Sequence, residues 1–152
     1  MTTCPRCNVS LVERTFHGVE LHICPGCTGT LVPQRRLIAL LEALSMRMVK
    51  RIDPTDDIDP LPERGPIRGC PRCAGPIEHF GYSGLPLAML DRCTRCQVVW
   101  CDVDELGVAA LIYARTHAHA VAKQQELEHY SQALGRRFDA IQRARLVQKL
   151  LV

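Results

Sequence analysis

CPRCNVSLVERTFHGVELHICPGC, residues 4–27, decides how the chain is read. It opens and closes on a C-x2-C pair, Cys4 with Cys7 and Cys24 with Cys27, with sixteen residues between them. A C-x2-C pair sets two thiolates on one tight turn, both aimed at a common centre. The intervening VSLVERTF and GVELHI alternate apolar and polar residues around His17-Gly18, the pattern of an antiparallel hairpin that carries the chain out and back. Two such turns facing one another offer four sulfurs to one cation. Zinc takes four ligands in a tetrahedron with Zn–S near ~2.3 Å.

The arrangement occurs twice. Cys70, Cys73, Cys93 and Cys96 form CPRC, nineteen intervening residues and CTRC. Leu11 and Gly18 match Ile77 and Gly84 at an offset of 66. Beyond a three-residue insertion the offset becomes 69 and pairs Cys27 with Cys96 and Leu37 with Leu106. The second hairpin, IEHFGYSGLPLAMLD, alternates less cleanly, and Pro86 is expected at an edge or bulge. Between the copies, residues 53–69 hold four prolines and five acids without apolar periodicity and read as a linker.

Four thiolates close the zinc shell, so the expected role is structural, with two Zn2+ per chain and no open position for a substrate. Each copy has few apolar side chains to offset ordering costs of ~1–2 kcal/mol per residue. Structural zinc supplies roughly 10–16 kcal/mol in small fingers, so the modules are expected to unfold without it. Iron–sulfur ligation also uses four thiolates, but paired turns at this separation suit zinc better. Disulfides are disfavoured, because MTTCPRCNVS has no apolar signal region and no run spans a membrane. A cytoplasmic, reducing setting is the expectation. Arg6, Arg72, Arg92 and Arg95 lie in or beside the cysteine turns, where they are read as offsetting thiolate charge.

Each ribbon is followed by a helical pattern. Leu37, Leu40, Leu41, Leu44, Met48 and Ile52 fall at helical spacing, with Arg47, Lys50 and Arg51 in the last turns. From Asp104 onward there is no proline, and one glycine, Gly135, where a hinge stays open. Leu106, Ala110, Tyr113, His117, Ala120, Gln124, Leu127, Ser131 and Leu134 follow helical spacing in a weak seam that His117, Gln124 and Ser131 interrupt. Phe138, Ile141, Ala144, Val147 and Leu151 restore it for packing or dimerisation. Asp102 and Glu105 stand at N-cap and N3 and read as a capping box. Trp100 is expected to pack its indole between metal site and helix. His117 and His119 point apart on a helix, and with His129 they read as surface or seam residues.

CPRCNVSLVERTFHGVELHICPGC, and CPRC…LDRCTRCQVVWCDVDEL after it, resemble the TFIIB-type zinc ribbon of bacterial proteins, with its pattern CPxC…CPxCxGxWLDxxEL. The second copy keeps Trp100, Asp102, Glu105 and Leu106. The first has Leu31, Val32, Pro33, Arg36 and Leu37 there. Gly29 holds the pattern's glycine, which becomes Val98 in the second copy. The resemblance implies a zinc ribbon fold and a label drawn from transcription, and brings no catalytic residue.

The expected architecture is small α+β: two Cys4 zinc ribbons, each a β-hairpin with zinc knuckles followed by a helix, and a long C-terminal helical arm. The divisions are 1–52, the linker 53–69, 70–112 and 113–152. Net charge is +3, with basic ends and an acidic middle. A non-enzymatic adaptor that binds another protein is the leading expectation, with no small-molecule substrate and no membrane. Nucleic-acid binding through the basic first module and C-terminal arm is the alternative, and a homodimer through the helices stays open. A thiol enzyme or zinc carrier would rest on Cys101 alone. Cys101 aligns with Val32, is followed by Asp102, Asp104 and Glu105, and reads as a small buried hydrophobe.

Overall fold

Main-chain hydrogen bonding joins the two copies into one sheet. The computed structural model describes residues 2–48 and 57–150, and within them all side chains except those of 48, 118–125 and 143–150. Its elements are β1 (Val12–Phe16), β2 (Val19–Ile23), β3 (Thr30–Pro33), α1 (Leu37–Met48), β4 (Glu78–Gly81), β5 (Met89–Cys93), β6 (Val98–Cys101) and α2 (Val103–Leu150). The strand order is β1-β2-β3-β6-β5-β4, antiparallel throughout. The chain forms two compact units, Met1–Thr116 and His117–Val152.

The first hairpin closes on His17-Gly18, with Phe16 paired to Val19. Both turn residues have positive φ, 47° and 75°, which matches the twist of a two-residue hairpin loop. Ser83 and Gly84 repeat the pair at 57° and 75°, but the inserted residues lengthen that connection. Pro86 falls in this connection, outside the strands, rather than at the edge or bulge expected of it, so its missing donor costs no ladder bond.

The join lies between β3 and β6, and its register is self-complementary. Leu31 sits opposite Trp100, its own counterpart in the repeat, while Thr30 faces Cys101 and Val32 faces Val99. Copy-related residues therefore exchange places across a local two-fold axis, as in an isologous dimer interface. Here the two halves belong to one chain.

Strand alternation sends the sheet's two faces to different cores. One face carries Val19, Leu21, Val32, Leu90, Val99 and Cys101, packed against Leu37, Leu40 and Leu41 of α1 and Val108, Ala109 and Ile112 of α2. The other carries Leu31, Val98 and Trp100 among Cys4, Cys24, Cys70 and Cys93. Residues 57–69 have no helix or strand, yet Ile58 and Leu61 pack against the first core and Ile67 is buried in the second. Ile52, Lys50, Arg51 and residues 53–56 lie outside the described residues, as does the side chain of Met48. In α2 the chain stays helical through Gly135.

Candidate metal centres

Each centre is built from two turns of one design. The N–H of Asn8, Thr28 and Ala74 donates to the carbonyl of Cys4, Cys24 and Cys70 at 2.9 Å, closing three of the four turns. The residue after each second cysteine, Asn8, Thr28, Ala74 or Gln97, has φ between 53° and 58°. Non-glycine residues adopt this left-handed conformation at a cost, and surrounding contacts hold it in place. All four turns do so, which sets both thiols of each pair on the inner side.

The turns bring Cys4, Cys7, Cys24 and Cys27 together, and likewise Cys70, Cys73, Cys93 and Cys96, with every Sγ in a group within 4.8 Å of the others. All eight sequence-predicted ligands thus gather in the expected two sets. Cys4 and Cys27 are 3.6 Å apart, and Cys73 and Cys93 are 3.7 Å apart. A tetrahedron with ~2.3 Å bonds has edges of about 3.8 Å. These separations fit two zinc ions and are far beyond a sulfur–sulfur bond, and none of the nine cysteines is in a disulfide.

The thiolate charge is met mainly by backbone N–H groups. Arg6 and Cys7 donate to Cys4 Sγ at 3.4 and 3.3 Å, Gly26 and Cys27 to Cys24 at 3.3 and 3.4 Å, and Arg72 and Cys96 to Cys70 and Cys93 at 3.4 Å. The guanidinium groups of Arg6 and Arg92 do not serve the thiolates as expected, because carboxylates hold both. Arg92 Nη2 donates to Glu78 at 2.7 Å and the group lies over the Phe80 ring. Arg6 donates to Asp102 at 2.8 Å and to the Gly65 carbonyl at 2.7 Å.

Four thiols this close cannot all ionise without a cation. Burial raises the Cys24 thiol, but N–H groups of Cys27 and Gly26 outweigh it and bring the thiol down to about 7. The N–H of Gly75 leads in lowering Cys73 to about 7. Cys7 and Cys96 are pushed up to about 12, first by their hydrogen bonds to Cys27 and Cys73. A divalent ion resolves this uneven sharing by displacing the remaining protons, so metal uptake here releases protons.

Residues 3–43 match the family model of the TFIIB-type zinc ribbon, described as a transcription factor zinc-finger. The first centre and the hairpin that carries it are therefore a zinc ribbon of this type. The second Cys4 group, Cys70 to Cys96, is consistent with a tandem copy. No curated protein and no solved structure matches the chain.

Around the second ribbon's exit lies a polar cluster that sequence spacing identified only in part. Asp102 is buried and accepts from Arg6 and, at 3.0 Å, from Trp100 Nε1–H. Glu105 accepts the Asp102 backbone N–H at 2.8 Å, which is half of the expected capping box. The Asp102 carboxylate, expected to cap the helix, is given over to Arg6 and Trp100. Asp91, also buried, holds His79 Nδ1 at 2.7 Å and accepts the Ile67 N–H at 3.1 Å. Neither Asp91 nor His79 stood out in the sequence. Asp91 lies on a strand covered on both faces, so alternation gave no polar position to question.

Burial raises the Asp91 carboxyl above its ordinary range, against the pull of His79. Burial, with Asp102 and Asp91 nearby, raises Glu105 to about 7. Cys101 is fully buried, and that burial, reinforced by Glu105, Asp102 and Asp91, drives its thiol far above the ordinary range. It packs in the helix-side core as a small hydrophobe. His117 and His129 join no ligand group among the described residues, and the side chain of His119 lies outside them. No helix among the described residues is long and apolar enough to cross a membrane.

Proposed function

We propose that the protein is a non-enzymatic adaptor in which two structural zinc ions hold a rigid double ribbon that binds another protein. The supporting observation is the donor set. Eight of nine cysteines complete two four-sulfur shells, and the ninth is sealed in the core. A closed thiolate shell offers no coordination site to a substrate. Trp100, beside both shells, is 1% exposed and so does not offer its indole for stacking on a base of single-stranded nucleic acid. Arg6 and Arg92 are already paired with carboxylates.

A cleft between the two CPRC turns, lined by Pro5, Asn8, Pro66, Arg68 and Pro71, is the surface the reading favours for the partner. Zinc-loaded protein is expected to capture one partner protein at fixed stoichiometry from its native extract. Arg68→Glu and zinc chelation are each expected to release it.

The alternative, a transcription-linked nucleic-acid binder, draws on the description of the matched family and on exposed Arg35, Arg36, Arg72 and Arg95. Phosphate binding weakens steeply with ionic strength. Retention of DNA or RNA at low salt, lost as salt rises, together with no protein partner, would decide for this alternative.

A further inference from the structure

Residues 117–150 of the second unit are one helix, and a single helix offers apolar side chains no interior to be buried in. Leu127, Tyr130, Leu134, Phe138 and Ile141 are nonetheless 48–65% exposed. At 3.6 residues per turn these five positions lie within about 40° of one line along the helix. Their spacing of three, four, four and three residues is that of a two-helix seam. Long helices gain most of their stability from packing of such a face.

We propose that this stripe pairs with the same stripe of a second copy of the chain, in antiparallel orientation. The residues beside the stripe identify the occupant. One flank carries Glu126, Ala133 and Arg137, and the other carries Ser131, Gly135 and Gln142. Glu126 and Arg137 are exposed. When two identical helices pack antiparallel, each flank meets its own equivalent in reverse. Leu127 of each copy then lies near Phe138 of the other, and Tyr130 near Leu134. In that register Glu126 of each copy falls beside Arg137 of the other, giving two opposite-charge pairs per dimer. Parallel pairing would set the charged flank against the uncharged one and leave both charges unmatched. The face is complementary to itself in one orientation only, which points to a two-fold pair.

Sedimentation equilibrium of the zinc-loaded full chain at micromolar concentration is expected to give twice the chain mass. Leu134→Glu is expected to give a monomer that keeps its helical circular dichroism and both zinc ions. Glu126→Arg and Arg137→Glu, each alone, set two like charges together and should raise the dimer dissociation constant roughly tenfold. Mixed in equal amounts, these two variants should form a heterodimer tighter than either homodimer, since both opposite-charge contacts are restored between them. A monomeric wild-type chain, or a Leu134→Glu variant that stays dimeric, overturns the interface. Variants that dimerise like wild type and gain nothing on mixing overturn the antiparallel orientation.

Discussion

Cys101 and Glu105 show how far neighbours decide the chemistry of a residue. A thiol acts as a nucleophile only as thiolate, and three carboxylates and complete burial oppose ionisation of Cys101. Iodoacetamide is therefore expected to leave Cys101 unmodified in the zinc-loaded protein and to alkylate it after denaturation, as peptide mass spectrometry would show. Labelling of the native form would restore the thiol-enzyme reading. Glu105 supports a pH prediction. Its folded value, about 7, lies above its ordinary 4.5, so the folded state holds the proton more tightly. Its stabilising contribution is full below pH 4.5 and disappears as pH rises through 7. Glu105→Gln keeps an acceptor for the Asp102 N–H and stays uncharged. The variant is expected to gain on wild type as pH rises from 5 to 7 and to hold that gain above it, by on the order of 1–3 kcal/mol, in denaturant titrations with zinc bound. A constant difference across that range would refute the assignment. The eight ligands were legible because a C-x2-C turn is a local object that four residues specify. The contact of Arg6 with Asp102 spans 96 positions and left no local trace.

Hairpins and helices were legible from periodicity and turn residues, because each depends on neighbours a few positions away. The β3–β6 join was not, since main-chain pairing draws little on side-chain identity. One trace of it was nevertheless present in the way the two copies depart from their common pattern. Trp100 has lost its counterpart in Leu31, and Gly29 has lost its counterpart in Val98. The structure makes these two departures one exchange. A Cβ on Gly29 would stand 2.8 Å from Trp100 Cη2 and closer still to Cζ2, so the glycine of the first copy makes room for the indole of the second. Across the local two-fold, Val98 holds the place that corresponds to Gly29, diagonal to Leu31 in the register and buried in the same cluster. Gly29→Ala is accordingly expected to destabilise the protein by about 1–3 kcal/mol, the usual cost of overpacking a tight core. Trp100→Leu alone should also destabilise, through the cavity it opens and the hydrogen bond it removes from Asp102. The double variant should cost less than the sum of the two, with a coupling of about 1 kcal/mol or more in a double-mutant cycle. Additive effects would mean that the two residues do not share that space.

Joining the ribbons makes their two metals parts of one folding unit, although residues 57–69, just before the second copy, form no helix or strand. Each centre is formed by turns at the ends of its own hairpin. Both centres, however, back onto a common core through Leu31, Val98 and Trp100. Structural zinc contributes roughly 10–16 kcal/mol in small fingers, comparable with the whole stability of a domain at ~5–15 kcal/mol. Losing one metal is thus enough to unfold its ribbon. The surviving ribbon would then lose the pairing of β6 with β3 and expose Trp100 to water. Replacing Cys4 and Cys27 by serine is expected to give a chain with one zinc ion by metal analysis, where the wild type holds two. That remaining zinc should pass to a chelator at least roughly tenfold faster, the kinetic equivalent of about 1.4 kcal/mol. Trp100, the only tryptophan, sits between the centres and reports on both. Chelation of the wild type should red-shift its emission in one concerted transition as zinc is withdrawn. If the second centre of the variant releases zinc at the wild-type rate, with the emission of Trp100 unchanged, the ribbons are independent modules and the shared sheet contributes nothing to metal retention.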